Sequence, residues 1–281
     1  MRLTIPMFLL PAIFMTLGSP AGQAELAQHW HTVQQPVLGA PHSIGSYASG
    51  CLQGAQRLPP DGAGFRTMRR NRRRFFGHPA LIRYLRELGR QVAEKKWGVL
   101  HISDLGQARG GPIPDGHRSH QTGLDVDIWF WLTEDAEPLA AATRATVSAP
   151  SMLAADGQGL NPQVWTSRQI RLLQTAAGFA AVERIFVNPH IKQALCKQFA
   201  GAAWLRKIRP WWGHDAHFHV RLRCPNDNPA CVQQAPPPSG DGCDATLAWW
   251  FTPEAQTPPE KDTEEEMPLP AACQALLYKE P

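Results

Sequence analysis

The run Gly116-His-Arg-Ser-His-Gln-Thr-Gly-Leu-Asp-Val-Asp-Ile128 decides how this chain is read. It sets His120 and Asp127 seven positions apart, and a second run, His214-Asp-Ala-His-Phe-His219, lies far downstream. Two imidazoles and a carboxylate are a ligand set that suits zinc, and three protein ligands leave a fourth position for water, as a catalytic zinc site requires. A zinc held by His120, Asp127 and His219 would bring the pKa of water down to about 7 and polarise a carbonyl. Amide hydrolysis also needs a group that handles protons. His217, two residues from a ligand and on the same strand face, is the first candidate, and His214 the next. Each pattern taken singly is weak, and satisfied hydrogen-bonding histidines in a polar core would produce the same spacing. The chain carries no Gly-x-Ser-x-Gly elbow, no Ser-x-x-Lys and no His-Glu-x-x-His helix, so a different hydrolase chemistry has little to stand on.

Outward from the motif, Leu124, Val126, Ile128 and Phe130 alternate with Asp125, Asp127, Trp129 and Trp131 over Leu124 to Leu132. Ala216, Phe218, Val220 and Leu222 alternate with His217, His219, Arg221 and Arg223 over Ala216 to Cys224. Successive side chains on a strand point to opposite faces, so each segment reads as a strand with one apolar and one polar face. Asp127 meets the His217/His219 pair if the two polar faces share a cleft. Gly98 to Ser103 reads as a third strand. Leu81, Leu85, Leu88 and Val92 recur at helical spacing between His78 and Lys96. A second helix is expected after Thr166-Ser167, and a third at Asn188-Pro189, where an N-cap precedes a proline. From Glu25 to about Gly77 the composition is loop-like. The expected fold is α+β: an antiparallel sheet carrying the zinc site on its polar face, flanked by helices, with long disulfide-stapled loops.

Arg2, the apolar but proline-broken stretch Leu3 to Leu17, and the small residues of Gly22-Gln23-Ala24 read as a signal peptide over residues 1–24. The stretch is short for a bilayer span, so no stable membrane anchor is expected. Six cysteines follow it, none in a Cys-x-x-Cys pair. In an exported chain that count reads as three disulfides, with connectivity open and Cys224–Cys231 the simplest pair. The formal charge of +4 is mild for a dedicated nucleic-acid binder. The basic run Arg66-Thr-Met-Arg-Arg-Asn-Arg-Arg-Arg-Phe-Phe76 is better read as a solvated face or a site for acidic substrate groups, and no nucleic-acid partner is expected. The catalytic domain is expected over residues 25–251. Residues 252–281 form a proline- and glutamate-rich tail, including Glu264-Glu-Glu266, whose composition favours disorder; Cys273 would staple it back.

At these residues the chain resembles the penicillin-insensitive murein endopeptidases, zinc peptidases related to lysostaphin-type enzymes, D-Ala-D-Ala carboxypeptidases and the hedgehog signalling domain. The likeness covers nearly the whole mature chain. It runs through Ser43-Ile-Gly-Ser-Tyr-Ala-Ser-Gly-Cys51, Arg73-Arg-Phe-Phe-Gly-His-Pro79, Ser119-His-Gln-Thr-Gly-Leu-Asp-Val-Asp127 and Arg184-Ile-Phe-Val-Asn-Pro189. It continues in Trp204-Leu-Arg-Lys-Ile-Arg-Pro-Trp211, His217-Phe-His-Val-Arg-Leu-Arg-Cys224, Pro237-Pro-Ser-Gly-Asp-Gly-Cys243 and Cys273-Gln-Ala-Leu-Leu277. The resemblance implies a periplasmic enzyme that cuts peptidoglycan cross-links between D-alanine and meso-diaminopimelate. It implies Zn2+ on His120, Asp127 and His219, with His217 and His214 as catalytic partners. It also implies the disulfides Cys51–Cys273, Cys196–Cys243 and Cys224–Cys231. The family's second metal position would use His117 and an Asp-Gly-x-His stretch, which here reads Asp156-Gly-Gln-Gly159, without its histidine. The different class that stays open is a catalytically silent, zinc-stabilised module that binds cell wall or a partner protein. The sequence leaves the oligomeric state undetermined.

Overall fold

The structure, a computed structural model, describes residues 20–115, 117–134, 139–257 and 268–280. Most of the expected leader and the Glu264–Glu266 run lie outside the described residues. In chain order the strands are β1 (His42–Ser46), β2 (Ser49–Gln53), β3 (Gln56–Arg57), β4 (Asp61–Gly62), β5 (Phe65–Thr67) and β6 (Phe76–Gly77). They continue as β7 (Leu100–Ile102), β8 (Asp125–Trp129), β9 (Val182–Val187), β10 (Ile208–Pro210) and β11 (His217–Leu222). The helices are α1 (Pro20–Thr32), α2 (Pro79–Glu94), α3 (Ala141–Thr146), α4 (Ser167–Gly178), α5 (Pro189–Phe199), α6 (Ala245–Trp249), α7 (Pro253–Gln256) and α8 (Ala271–Tyr278).

Seven strands form one sheet in the order β10-β9-β11-β8-β7-β5-β4. Its centre, β9-β11-β8-β7, is antiparallel, while β9–β10 and β5–β7 pair in parallel. The fold is therefore α+β with a mixed sheet, antiparallel where the histidines sit. The alternation seen in sequence sorts the two central strands as expected. Leu124, Val126, Ile128 and Phe130 join Phe218, Val220 and Leu222 in the core against Leu81, Leu85, Leu88 and Val92 of α2 and Leu172, Leu173 and Ala176 of α4. Burying a large aliphatic side chain contributes about 1.5–3 kcal/mol, so this layer is what fixes the register. A slip of one residue would turn Asp125 and Asp127 into the core. Contrary to the half-solvated face that alternation suggests, every residue of β8 is buried.

The three expected helices form, and each opens on a side-chain N-cap. His78 and Asn188 accept from the amides of Ala80 and His190, with Pro79 and Pro189 at the first position. Thr166 and Gln169 make a reciprocal capping box at α4. The region read as loop-like holds most of α1 and six strands. Strands β3 to β6, at two or three residues, are too short to show a period, while the five-residue β1 and β2 carry small residues (Ser43, Gly45, Ser49, Gly50) that mask theirs. The tail is ordered where α8 buries Cys273, Leu276 and Leu277 beside Trp30 and Cys51. All six cysteines pair, as Cys51–Cys273, Cys196–Cys243 and Cys224–Cys231. Among the described residues no helix is long and apolar enough to cross a membrane.

Candidate metal centre

The pairing of β8 with β11 sets His219 directly opposite Asp127, His217 opposite Trp129 and Arg221 opposite Asp125. One ladder thus carries a carboxylate and an imidazole to the same spot on the polar face. His120 arrives from the loop before β8, in the left-handed region at φ 71°, where a residue other than glycine is uncommon. The amide of His120 donates to Asp125 Oδ2 at 3.2 Å, and the turn closes at Gly123, whose amide donates to the His120 carbonyl. Gly123 itself has φ +67°, and a Cβ there would lie 2.3 Å from the Leu52 side chain. A glycine is therefore required two residues before Asp125.

The groups meet closely. His219 Nδ1 lies 3.2 Å and His120 Nε2 3.6 Å from Asp127 Oδ1, and the His120 and His219 rings are 4.7 Å apart. His217 Nε2 is 3.8 Å from the same oxygen and, at 30 % side-chain exposure, is more open than His120 or His219. His214 stacks beside it at 5.0 Å, also with a left-handed backbone, and its Nδ1 hydrogen-bonds to the Trp212 carbonyl at 2.7 Å. His117, His120 and Asp127 each offer a ligand atom within 4.8 Å of the others. In that group His117 stands where His219 was expected: His219 reaches Asp127 Oδ1 at 3.2 Å but is not one of the three. Asp156 is exposed, is not a member of that group, and accepts from the Gln158 amide.

Charge in the cluster is set by burial and by the two aspartates. Burial pushes His120 and His214 down to about 3, and lowers His217, so these rings are neutral near pH 7. Burial opposes the charge on His219 too, but Asp125 and Asp127 outweigh it and raise that ring to about 9. Burial alone would raise Asp127, yet His120, His217 and His117 hold its carboxyl well below the usual range.

The residues present fit a cation. Both ring nitrogens of His120, and Asp127 Oδ1, are buried without a hydrogen-bond partner. An unsatisfied buried polar atom costs about 1–3 kcal/mol. A divalent ion takes lone pairs from several such atoms at once. His219 Nδ1 also faces Asp127 Oδ1 at 3.2 Å, a proton-bearing approach that a metal would replace. The cluster is compatible with a bound metal through its nitrogens and carboxylate oxygen.

Two supporting carboxylates escaped the sequence reading. Asp125 Oδ1 accepts from His219 Nε2 at 2.9 Å and from Arg221 Nε at 2.7 Å, with all three side chains at most 9 % exposed. Asp104 accepts from His117 Nε2 at 3.0 Å, Arg72 at 2.9 Å and Arg74 at 3.3 Å. The Asp-x-Asp alternation places Asp125 beside Asp127, a usable signal for the first. For Asp104, which lies outside any motif, the sequence offers none. The basic run is largely committed internally: Arg69 donates to the Val147 carbonyl, Arg70 to that of Leu58, and Arg74 also pairs with Asp115.

A buried, sheet-borne cluster of imidazoles and carboxylates, with no serine or cysteine nucleophile motif, sets the class of protein to which comparison should point. Residues 43–278 match the family model described as "Penicillin-insensitive murein endopeptidase". A protein of that name from Klebsiella pneumoniae (strain 342) is 45% identical over 273 residues, covering 95% of this chain and 96% of its own length. One from Escherichia coli O1:K1 / APEC is 45% identical over 270 residues, with the same coverage. The chain belongs to this peptidase family.

Proposed function

We propose that this protein is an exported, zinc-dependent endopeptidase that hydrolyses the D-alanyl–meso-diaminopimelyl cross-links of peptidoglycan. The observation that supports the proposal is the approach of His120 and His219 to Asp127, with the His120 ring nitrogens and Asp127 Oδ1 buried without a partner, in a chain of this peptidase family. His120, Asp127 and His219, the last through Nδ1, would hold the ion. Bound there, zinc supplies a Lewis acid that polarises the scissile carbonyl and acidifies water.

The chain's own residues do the rest. Asp125 accepts from His219 Nε2 and so keeps Nδ1 turned toward Asp127. His217 is neutral near pH 7 and the most exposed of the imidazoles that face Asp127, so it takes the proton from the attacking water and returns it to the leaving amine. His214 donates Nδ1–H to the Trp212 carbonyl, which leaves its neutral Nε2 as an acceptor for a substrate N–H. Residues 1–24 act as the leader, 25–251 as the catalytic domain and 252–281 as the tail. Three disulfides support an oxidising compartment such as the periplasm.

The test uses mature protein and purified cross-linked muropeptide dimers, followed chromatographically. Dimers should become monomers, chelator should stop the reaction, and added zinc should restore it. Intact dimers, or hydrolysis indifferent to chelator, would overturn the proposal.

A further inference from the structure

Large apolar side chains with substantial exposure are few among the described residues, and two of the five, Trp211 at 46% and Trp249 at 44%, belong to one aromatic patch. Trp212 packs edge to face with Trp211 at 5.1 Å and with Trp250 at 4.6 Å, and Trp249 does so with Trp250 at 5.2 Å, so the patch presents separate ring faces at angles rather than one plane. Exposed aromatic surface that stays contiguous on a folded protein marks a binding site. We propose that Trp211, Trp212, Trp249 and Trp250 form a carbohydrate platform that grips the glycan strand of murein while a peptide stem from that strand enters the metal centre. This rests on the peptidase function proposed above.

Three observations select this occupant. The first is continuity with the metal centre. The Phe186 ring lies 5.5 Å from Trp211 and 5.4 Å from His219, and the Trp212 carbonyl holds His214. Two ring contacts therefore separate the platform from the cluster. A peptide stem of three or four residues, at about 3.3–3.6 Å each when extended, spans a similar distance. The second is charge. Trp211–Gly213 and Ala245–Thr252 contain no Asp, Glu, Lys or Arg, and charge of both signs stands only at their borders, in Arg209, Asp215, Asp244 and Glu254, so the ring faces themselves suit the apolar face of an uncharged ligand. The C–H face of a pyranose ring has that character, and its hydroxyls stay in water at the edge. The third is rigidity. Trp212 Nε1 donates to the Ala255 carbonyl at 2.7 Å, Asp244 caps α6, and Cys243, just before that cap, is bonded to Cys196 of α5. A preformed surface loses little freedom when it binds.

The experiment is calorimetric titration of the mature protein with linear murein glycan oligosaccharides stripped of peptide. Wild type should bind saturably, and Trp249→Ala should bind about three- to tenfold more weakly, the range expected for one aromatic contact. Trp249→Phe, which keeps a ring face and demands less of folding, should retain most of the affinity. Absence of saturable binding by the wild type, or equal affinity in the folded Trp249→Ala variant, would overturn the platform. Hydrolysis of sugar-free cross-linked peptide dimers by the wild type reports on the peptidase separately. Glycan binding without that hydrolysis would leave the platform standing and reject the peptidase, and the reverse result would do the opposite.

Discussion

Asp125 ties the His219 ring, the Arg221 guanidinium and the His120 backbone to one buried carboxylate. Replacing it with alanine strands a buried cation and frees the imidazole to rotate. Asp125→Ala should weaken zinc binding by about 10- to 100-fold, measured by competition with a chromophoric chelator. A second consequence concerns protons. His219 keeps its proton up to about 9 because two carboxylates face it, and an imidazole must lose that proton to take a metal. Zinc affinity should therefore rise with pH between 6 and 9, by about tenfold per unit for each proton displaced. The same chelator competition across that range checks it, and a flat profile would contradict the assigned charge. The spacing of His120, Asp127 and His219 could be read from the chain because ligand type and strand alternation are local properties. The job of Asp125 could not, because its partners Arg221 and His219 become neighbours only when β8 and β11 pair.

At the scale of elements, α5 and the His214 loop are joined through one residue. Asn188 Oδ1 accepts from the His190 amide and caps the helix, Nδ2 donates to the Gly213 carbonyl at 3.0 Å, and its amide donates to the His214 carbonyl at 2.9 Å. Asn188→Ala should lower unfolding free energy by about 1 kcal/mol, measured by urea denaturation. Helices α2, α4 and α5 were readable because their caps and periods are contiguous in sequence. The short strands β3 to β6 were not. Two or three residues cannot display alternation, and their pairing partners, such as Leu100 for Phe65, come from elsewhere in the chain. The antiparallel expectation likewise holds for the central strands, while the parallel outer pairs depend on crossovers that no local pattern encodes.

For the whole molecule, Cys51–Cys273 bridges residues 222 positions apart and holds α8 against β2 and Trp30. Arg109 reinforces the same junction by donating to the Leu276 and Leu277 carbonyls. Replacing both cysteines with alanine should cost about 2–5 kcal/mol, read as a lower denaturant midpoint. That contact between chain ends was suggested by resemblance, since even cysteine counts leave connectivity open. The account as a whole depends on one ion held between β8, β11 and the His120 loop. Its most direct test is elemental analysis of the purified mature protein beside a folded His219→Ala variant, dialysed in the same buffer. The wild type should carry close to one zinc per chain and the variant far less; a variant that retains the full complement would show that the metal, if bound, sits elsewhere.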